Sequence, residues 1–192
     1  MTGLRVIAGE AKGRKLRRVP GTGTRPISDR VKESLFGILA GEVQGARFLD
    51  LFAGTGSVGI EALSRGAAWA TFVDSNGRAV ATLRANLEAT RLAARADVIR
   101  ADVFRFLAAP VGDPYDLIYI APPQYAGLWL SALQAIDAAP AWLAPHGLAI
   151  AQMHPKEWSP PELGNLAVAD ERRYGSTVLA FFERSESPRT SL

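Results

Sequence analysis

Phe48-Leu49-Asp50-Leu51-Phe52-Ala53-Gly54-Thr55-Gly56-Ser57-Val58-Gly59 decides the fold of this chain. The stretch leaves a buried strand at residues 47–51 and passes through a glycine-rich turn. It enters a helix at 57–65 that Gly66 can close as a C-cap. Strand, turn and helix in that order place a nucleotide-sized pocket at the strand's carboxyl end. Two cofactor classes use such a turn. The letters Gly54, Gly56 and Gly59 spell a dinucleotide fingerprint, and Asp74 follows where a ribose ligand is expected. Asp50 is the discriminating residue: a carboxylate beside the turn repels the pyrophosphate of NAD and suits the cationic ammonium of S-adenosylmethionine. The turn therefore reads as a methyl-donor site. The bland alternative is that its glycines only let helix and strand pack closely.

Downstream, the pattern of alternating strands and helices repeats. Residues 70–74 read as a second buried strand ending in Asp74, whose carboxylate can accept both hydroxyls of a ribose or cap the helix at 76–91, where Ser75 and Asn76 cap equally well. Residues 97–102 give a third strand with Asp102 at its end, either an adenine acceptor or the N-cap of a helix at 103–109. A fourth, at 115–120, delivers Ala121-Pro122-Pro123-Gln124-Tyr125 to the same sheet edge. Two prolines there fix φ and remove two N–H groups, leaving a rigid platform of carbonyl acceptors beside Tyr125, a stacking face. A helix at 127–138, a fifth strand at 147–152, an irregular segment at 155–161, and runs at 166–174 and 177–182 around Gly175-Ser176 complete the chain. The fold class is α/β: a Rossmann-like, mostly parallel seven-stranded sheet closing on an antiparallel hairpin. It occupies 28–184, preceded by a basic extension at 1–27 and followed by a disordered tail at 185–192.

Upstream, residues 4–9 and 14–19 read as the arms of a β-hairpin. Arg5, Lys12, Arg14, Lys15, Arg17, Arg18, Arg25 and Arg30 stand against only Glu10 and Asp29 in the first thirty residues, although the whole chain carries just +3. Such a local excess fits a phosphate backbone better than an ordinary solvated face. Ser28 is placed to cap a helix whose apolar positions Val31, Leu35, Ile38 and Leu39 share one side. Asp29 and Arg30, in its first turn, are either surface charges or faces of the cofactor pocket. The 192 residues, 48% hydrophobic, suffice for one well-cored domain with a small extension. With no cysteine and two histidines, the composition argues against disulfides and a protein-held metal. With no apolar segment of membrane-spanning length, the expected location is the cytoplasm.

These residues resemble the RsmD-type small-subunit (16S) ribosomal RNA guanine-N2 methyltransferases over nearly the whole chain. The likeness rests on Arg5-Val6-Ile7-Ala8-Gly9 with Gly13-Arg14-Lys15-Leu16, on Arg25-Pro26 with residues 29–36, on residues 49–56, on residues 61–67, and on Tyr174-Gly175-Ser176-Thr177-Val178-Leu179. The resemblance implies an S-adenosylmethionine-dependent monomer that methylates one guanine amine of ribosomal RNA within an assembled or partly assembled 30S particle. Its cofactor set would be Asp50, Phe52, Ala53, Gly54, Thr55, Gly56, Asp74, Ser75, Asp102 and Val103, its catalytic platform residues 121–125, and its RNA contacts the basic residues named above. One departure stands out. The family's platform is usually Asp-Pro-Pro followed by an aromatic, whereas here Ala121 replaces the acid and Gln124 displaces the aromatic to Tyr125. A catalytically impaired RNA-binding or assembly factor is the alternative that this departure raises. A nicotinamide dehydrogenase would keep the glycines but has no use for the proline pair.

Overall fold

The computed structural model describes residues 4–21 and 26–185. Its helices are α1 (Asp29–Ile38), α2 (Ser57–Ser64), α3 (Gly77–Thr90), α4 (Val103–Leu107) and α5 (Leu128–Ala138). Its strands are β1 (Arg47–Leu51), β2 (Trp69–Asp74), β3 (Ala96–Arg100), β4 (Tyr115–Ile120), β5 (Leu143–Met153), β6 (Leu166–Tyr174) and β7 (Thr177–Arg184). All seven strands form one sheet in the order β3-β2-β1-β4-β5-β7-β6. The first five pair in parallel, and β7 joins β5 and β6 antiparallel. Strand order reverses between β1 and β4, so a crevice opens where their carboxyl ends diverge.

Alternation along β1 assigns its side chains to two layers. Phe48 joins the apolar cluster under α1, α2 and α3, while Leu49 and Leu51 join the cluster under α4 and α5. Asp50, on the Phe48 side, is thereby carried into the interior. Ser28 Oγ caps α1 by accepting from the Val31 amide at 3.3 Å. Asn76 caps α3, and Asp102 caps α4 by accepting from the Arg105 amide at 3.0 Å.

The amino-terminal segment departs from the expected hairpin. Among the described residues its arms meet at a single antiparallel bridge, Arg5 to Lys15, flanked by bonds from the Val6 amide to the Arg14 carbonyl and from the Leu16 amide to the Leu4 carbonyl. Neither arm becomes a strand, because several of their backbone donors are claimed by side chains of the helices below. Glu61 of α2 takes the amides of Ile7 and Ala8 at 2.8 and 3.0 Å. Ser64 Oγ takes that of Ala11, and Asn86 of α3 both accepts from and donates to the Arg17 backbone. Leu4, Val6, Ala11 and Leu16 are buried in the same cluster as α1 and α2. The segment is thus fastened to the core by apolar contact and by directed hydrogen bonds.

At the centre of that fastening lies a buried ion pair. Lys32 of α1 and Glu61 of α2 both have fully buried side chains, with Nζ 3.3 Å from Oε2. Lys32 Nζ also donates to the Arg5 carbonyl at 2.6 Å and to Ser57 Oγ at 3.1 Å. Burial lowers the Lys32 pKa, and Glu61 opposes that shift. Glu61 additionally accepts from Arg65 Nε at 2.8 Å, so both carboxylate oxygens are satisfied.

Sequence and structure part company in a few boundaries. β5 begins at Leu143 rather than 147, with a register shift against β4 between Tyr115 and Leu117. β7 continues to Arg184, held by its pairing with Leu166. Within the segment read as irregular, residues Pro155–Glu157 form one 3₁₀ turn. Of the tail, Ser185 alone is described, and residues 186–192 lie outside the described residues.

Candidate active site

The turn after β1 is built on an unusual backbone. Phe52 has φ +62°, Gly54 +55° and Gly56 +73°. The Ala53 amide donates to the Val73 carbonyl at 3.0 Å and the Gly56 amide to the Ala53 carbonyl at 2.8 Å, tying the turn to β2 and closing it on itself. A Cβ on Gly54 would project into open space, with only the Phe52 carbonyl 4.0 Å away. A Cβ on Gly59 would instead lie 2.3 Å from the Phe72 ring. The two glycines have different causes. Gly54 takes the turn's left-handed backbone and leaves open space above it, and Gly59 lets α2 settle onto the sheet.

Asp74 sits at the carboxyl end of β2, where its Oδ2 accepts from the Gly54 amide at 2.8 Å and its Oδ1 from the Asn76 amide at 2.8 Å. Each oxygen keeps a lone pair, and the half-buried carboxylate is fixed in position for two further donors. Ser75 is exposed beside it. Across the crevice Asp102 is exposed, with one oxygen engaged in its capping bond. Phe104, which sequence reading passes over, meets Phe52 edge-on at 6.4 Å between centroids. Its place in the first turn of α4, right after the expected adenine acceptor Asp102 and the buried Val103, is the signal that could have marked it. Ala53 is buried, and Thr55 is half-buried with its carbonyl held by Asn86 at 2.9 Å. A rigid turn, open space over Gly54, paired acceptors on Asp74 and an apolar flank from Phe52 and Phe104 fit an adenosine-bearing cofactor.

Asp50 lies deeper than the sequence reading puts it. It is 2% exposed, beneath the first turn of α2, and its Oδ2 accepts from the Gly59 amide at 3.0 Å. Burial pushes its pKa up to about 8, the Gly59 amide opposes that shift and Asp74 adds to it. Burial therefore favours the neutral carboxyl over the charged form. The group does not present a bare charge at the pocket's mouth, and the electrostatic exclusion of a pyrophosphate by Asp50 does not hold in that simple form. Its visible work is to brace α2 against β1.

The proline platform leaves β4 next to the end of β1: Asp50 pairs in register with Tyr119 and Leu51 with Ile120, and the Ala121 amide donates to the Leu51 carbonyl at 3.4 Å. Ala121 and Pro122 are half-buried, whereas Pro123, Gln124 and Tyr125 are exposed. Tyr125 has φ +62°, is 65% exposed, and lies 5.3 Å from the ring of His154. The fold thus brings residues 52–56, Asp74, Asp102 and the platform to one sheet edge.

The expected RNA contacts fall into groups. Lys12, Lys15, Arg17, Arg18 and Arg30 are exposed. Arg5 is held by Asp29 at 3.1 Å, which gives Asp29 a surface role, and Arg14 donates to the Ala89 carbonyl at 2.7 Å. Arg25 lies outside the described residues. Among the described residues there is no group of three or more His, Cys, Asp or Glu side chains able to hold a metal. No described helix is long and apolar enough to cross a membrane.

Comparison with known proteins places this geometry. Residues 4–183 match the family model described as conserved hypothetical protein 95. The chain is 40% identical to YlbH of Bacillus subtilis over 184 residues, covering 94% of this chain and 99% of that protein. It is 34% identical to the ribosomal RNA small subunit methyltransferase D of Escherichia coli K12 over 181 residues, covering 94% and 90%. Among solved structures, the yhhF protein of Escherichia coli superposes with a TM-score of 0.84 at 33% identity, covering 95% of this chain and 98% of that one. The glycine turn, the platform and the amino-terminal segment all lie inside the matched span, and the chain belongs to the RsmD-type methyltransferase family.

Proposed function

We propose that this protein is an S-adenosylmethionine-dependent methyltransferase acting on the exocyclic N2 of a guanine in small-subunit ribosomal RNA. Its substrate is an assembled or partly assembled 30S particle, and it acts as a monomer in the cytoplasm. One observation carries the reading: a family-matched glycine turn, its ribose acceptor Asp74 and a two-proline acceptor platform share one sheet edge, on a chain that opens with a basic segment. The domain at 28–184 supplies the site, and residues 1–27 together with Arg30 the RNA contact.

When bound, S-adenosylmethionine supplies an electrophilic methyl group on a sulfonium. The chain's own residues do the positioning. Asp74 accepts from ribose hydroxyls, Asp102 from the adenine amine, and the turn over Gly54 lets the ligand approach the backbone. A guanine N2 lone pair is delocalised into its ring and attacks only when held in line, so positioning provides most of the acceleration. The base is extruded from the RNA and stacks near Tyr125, while the carbonyls of Ala121 and Pro122 accept from its amine. Lys12, Lys15, Arg17, Arg18 and Arg30 meet phosphates.

Ala121 gives substance to a second reading, a factor of the same fold that binds the subunit without methylating it. Losing one acceptor to a partly charged amine costs about 1.5 to 3 kcal/mol, a slowing of roughly ten- to a hundredfold rather than silence. The test is methyl incorporation into small subunits that lack the modification, with mass spectrometry of the RNA to identify base and site. Turnover by the wild-type chain supports the enzyme. Turnover by Ala121→Asp alone would favour the binding factor.

A further inference from the structure

Parallel pairing of β4 with β5 sets Ile120 against Ala151, so the segments that follow each strand leave the sheet side by side. One is the platform; the other is His154 and the 3₁₀ turn Pro155–Glu157. Between them lies a groove of about 330 Å³ walled by Tyr125, Gly127, Trp129, Leu130, Glu157 and Ser159. That volume is at the lower end of small-ligand sites, ~300–1,000 Å³. Nothing in the site described above uses Trp129, Glu157 or His154.

Three features say what the groove takes. Tyr125 holds a left-handed backbone that strains a non-glycine residue, yet its side chain is 65% exposed and, among the described residues, its ring contact is His154. Strain without burial brings the fold nothing and leaves an aromatic face open for stacking. Second, Glu157 Oε2 accepts a long bond of 3.4 Å from the His154 amide, and Oε1 has no protein partner among the described residues. Third, His154 Nδ1 accepts from the Lys156 amide at 3.1 Å. In the neutral ring the proton therefore sits on Nε2, which is a donor.

A stacking face with a carboxylate acceptor on one side and an imidazole donor beside it suits the Watson–Crick edge of guanine, the base the proposed function requires. Guanine offers two adjacent donors, N1–H and N2–H, and next to them the acceptor O6. Adenine has a bare nitrogen at N1, which a carboxylate repels. We propose that Glu157 reads the N1–H of the target guanine, with His154 Nε2–H meeting O6 and Tyr125 stacking on the ring. Accepting from N1–H also feeds electron density toward N2. Specificity thus comes from the neighbour of the proline platform and does not require an acid at position 121. The inference rests on the guanine-methylating function proposed above.

The test compares wild type and Glu157→Gln on small subunits reconstituted with either guanine or 2-aminopurine at the target position. 2-Aminopurine keeps the exocyclic amine and lacks both N1–H and O6. On guanine, Glu157→Gln lowers kcat/KM roughly ten- to a hundredfold, the worth of one hydrogen bond to a charged group. On 2-aminopurine, whose bare N1 the carboxylate repels and an amide can meet as a donor, Glu157→Gln is as fast as wild type or faster. Affinity for S-adenosylhomocysteine and melting temperature are unchanged. An equal loss on both bases, or no loss on guanine, overturns the proposal. Should the variant fold poorly, wild type alone decides: methylating 2-aminopurine as fast as guanine overturns it too. A wild-type protein inactive on every subunit removes the guanine function itself, and this inference with it.

Discussion

Replacing Asp50 by Asn tests whether the acid under the glycine turn is neutral in the folded protein. The carboxyl is 2% exposed, and burial pushes its pKa up to about 8. In the unfolded chain it titrates near 3.9. Between those values the native state holds a proton that the unfolded state has released. The sign follows: stability from this group is full below about pH 4 and is lost as pH rises through about 8. The slope is roughly −1.4 kcal/mol per pH unit in the middle of the window, or about 2 to 3 kcal/mol between pH 5 and 7. Asn cannot ionise, and its amide oxygen can still accept from the Gly59 amide. Urea unfolding of both proteins at half-unit intervals from pH 4.5 to 8.5 measures the difference free of other titrating groups. Wild type minus Asp50→Asn should decline along that slope and level off above pH 8. A flat difference across the whole range would show that Asp50 is ionised in the fold and would refute the argument from burial.

Other substitutions separate fold from chemistry. Lys32→Met leaves Glu61 buried without its cation and should cost about 3 to 5 kcal/mol by denaturant unfolding, toward the lower end because Arg65 and two backbone amides still contact Glu61. Gly59→Ala forces a methyl to within 2.3 Å of the Phe72 ring and should lose about 1 to 3 kcal/mol of stability with little change in affinity for S-adenosylhomocysteine. Gly54→Ala meets open space but must hold an L side chain at φ +55°, so it should lose about 1 to 2 kcal/mol of stability by denaturant unfolding. Ala121→Asp should raise methyl transfer to unmodified subunits by roughly ten- to a hundredfold if an acidic side chain there can reach the target amine.

Which parts of this molecule can be read from its letters follows from how local their causes are. β1 and β4 begin and end where the sequence says, because each is a short buried run stopped by a glycine turn or a proline pair. β5 and β7 run longer than their apolar cores, since their ends are set by pairing with each other and with β4 and β6. The same distinction explains Asp50. Alternation along β1 tells which face it joins, but not that α2 lies over that face close enough to seal it from water. Lys32 and Glu61 are twenty-nine positions apart, so no local pattern couples them. Glu61 nevertheless carries a signal: it is the single charge in an otherwise uncharged helix whose every residue is buried.

The amino-terminal segment sharpens the point. Its charges read as an independent basic hairpin, yet its backbone is bonded to Glu61, Ser64 and Asn86, and Asn86 also holds the Thr55 carbonyl of the glycine turn. Lys32 makes a parallel link, joining the Arg5 carbonyl to Ser57 at the first residue of α2. The surface proposed to meet RNA phosphates and the turn proposed to hold the methyl donor are therefore connected through two buried polar side chains. A displacement of the segment cannot leave those bonds intact without moving the turn. Position along the sequence separates the two functions by some forty residues, and the hydrogen-bond network brings them within one side chain of each other.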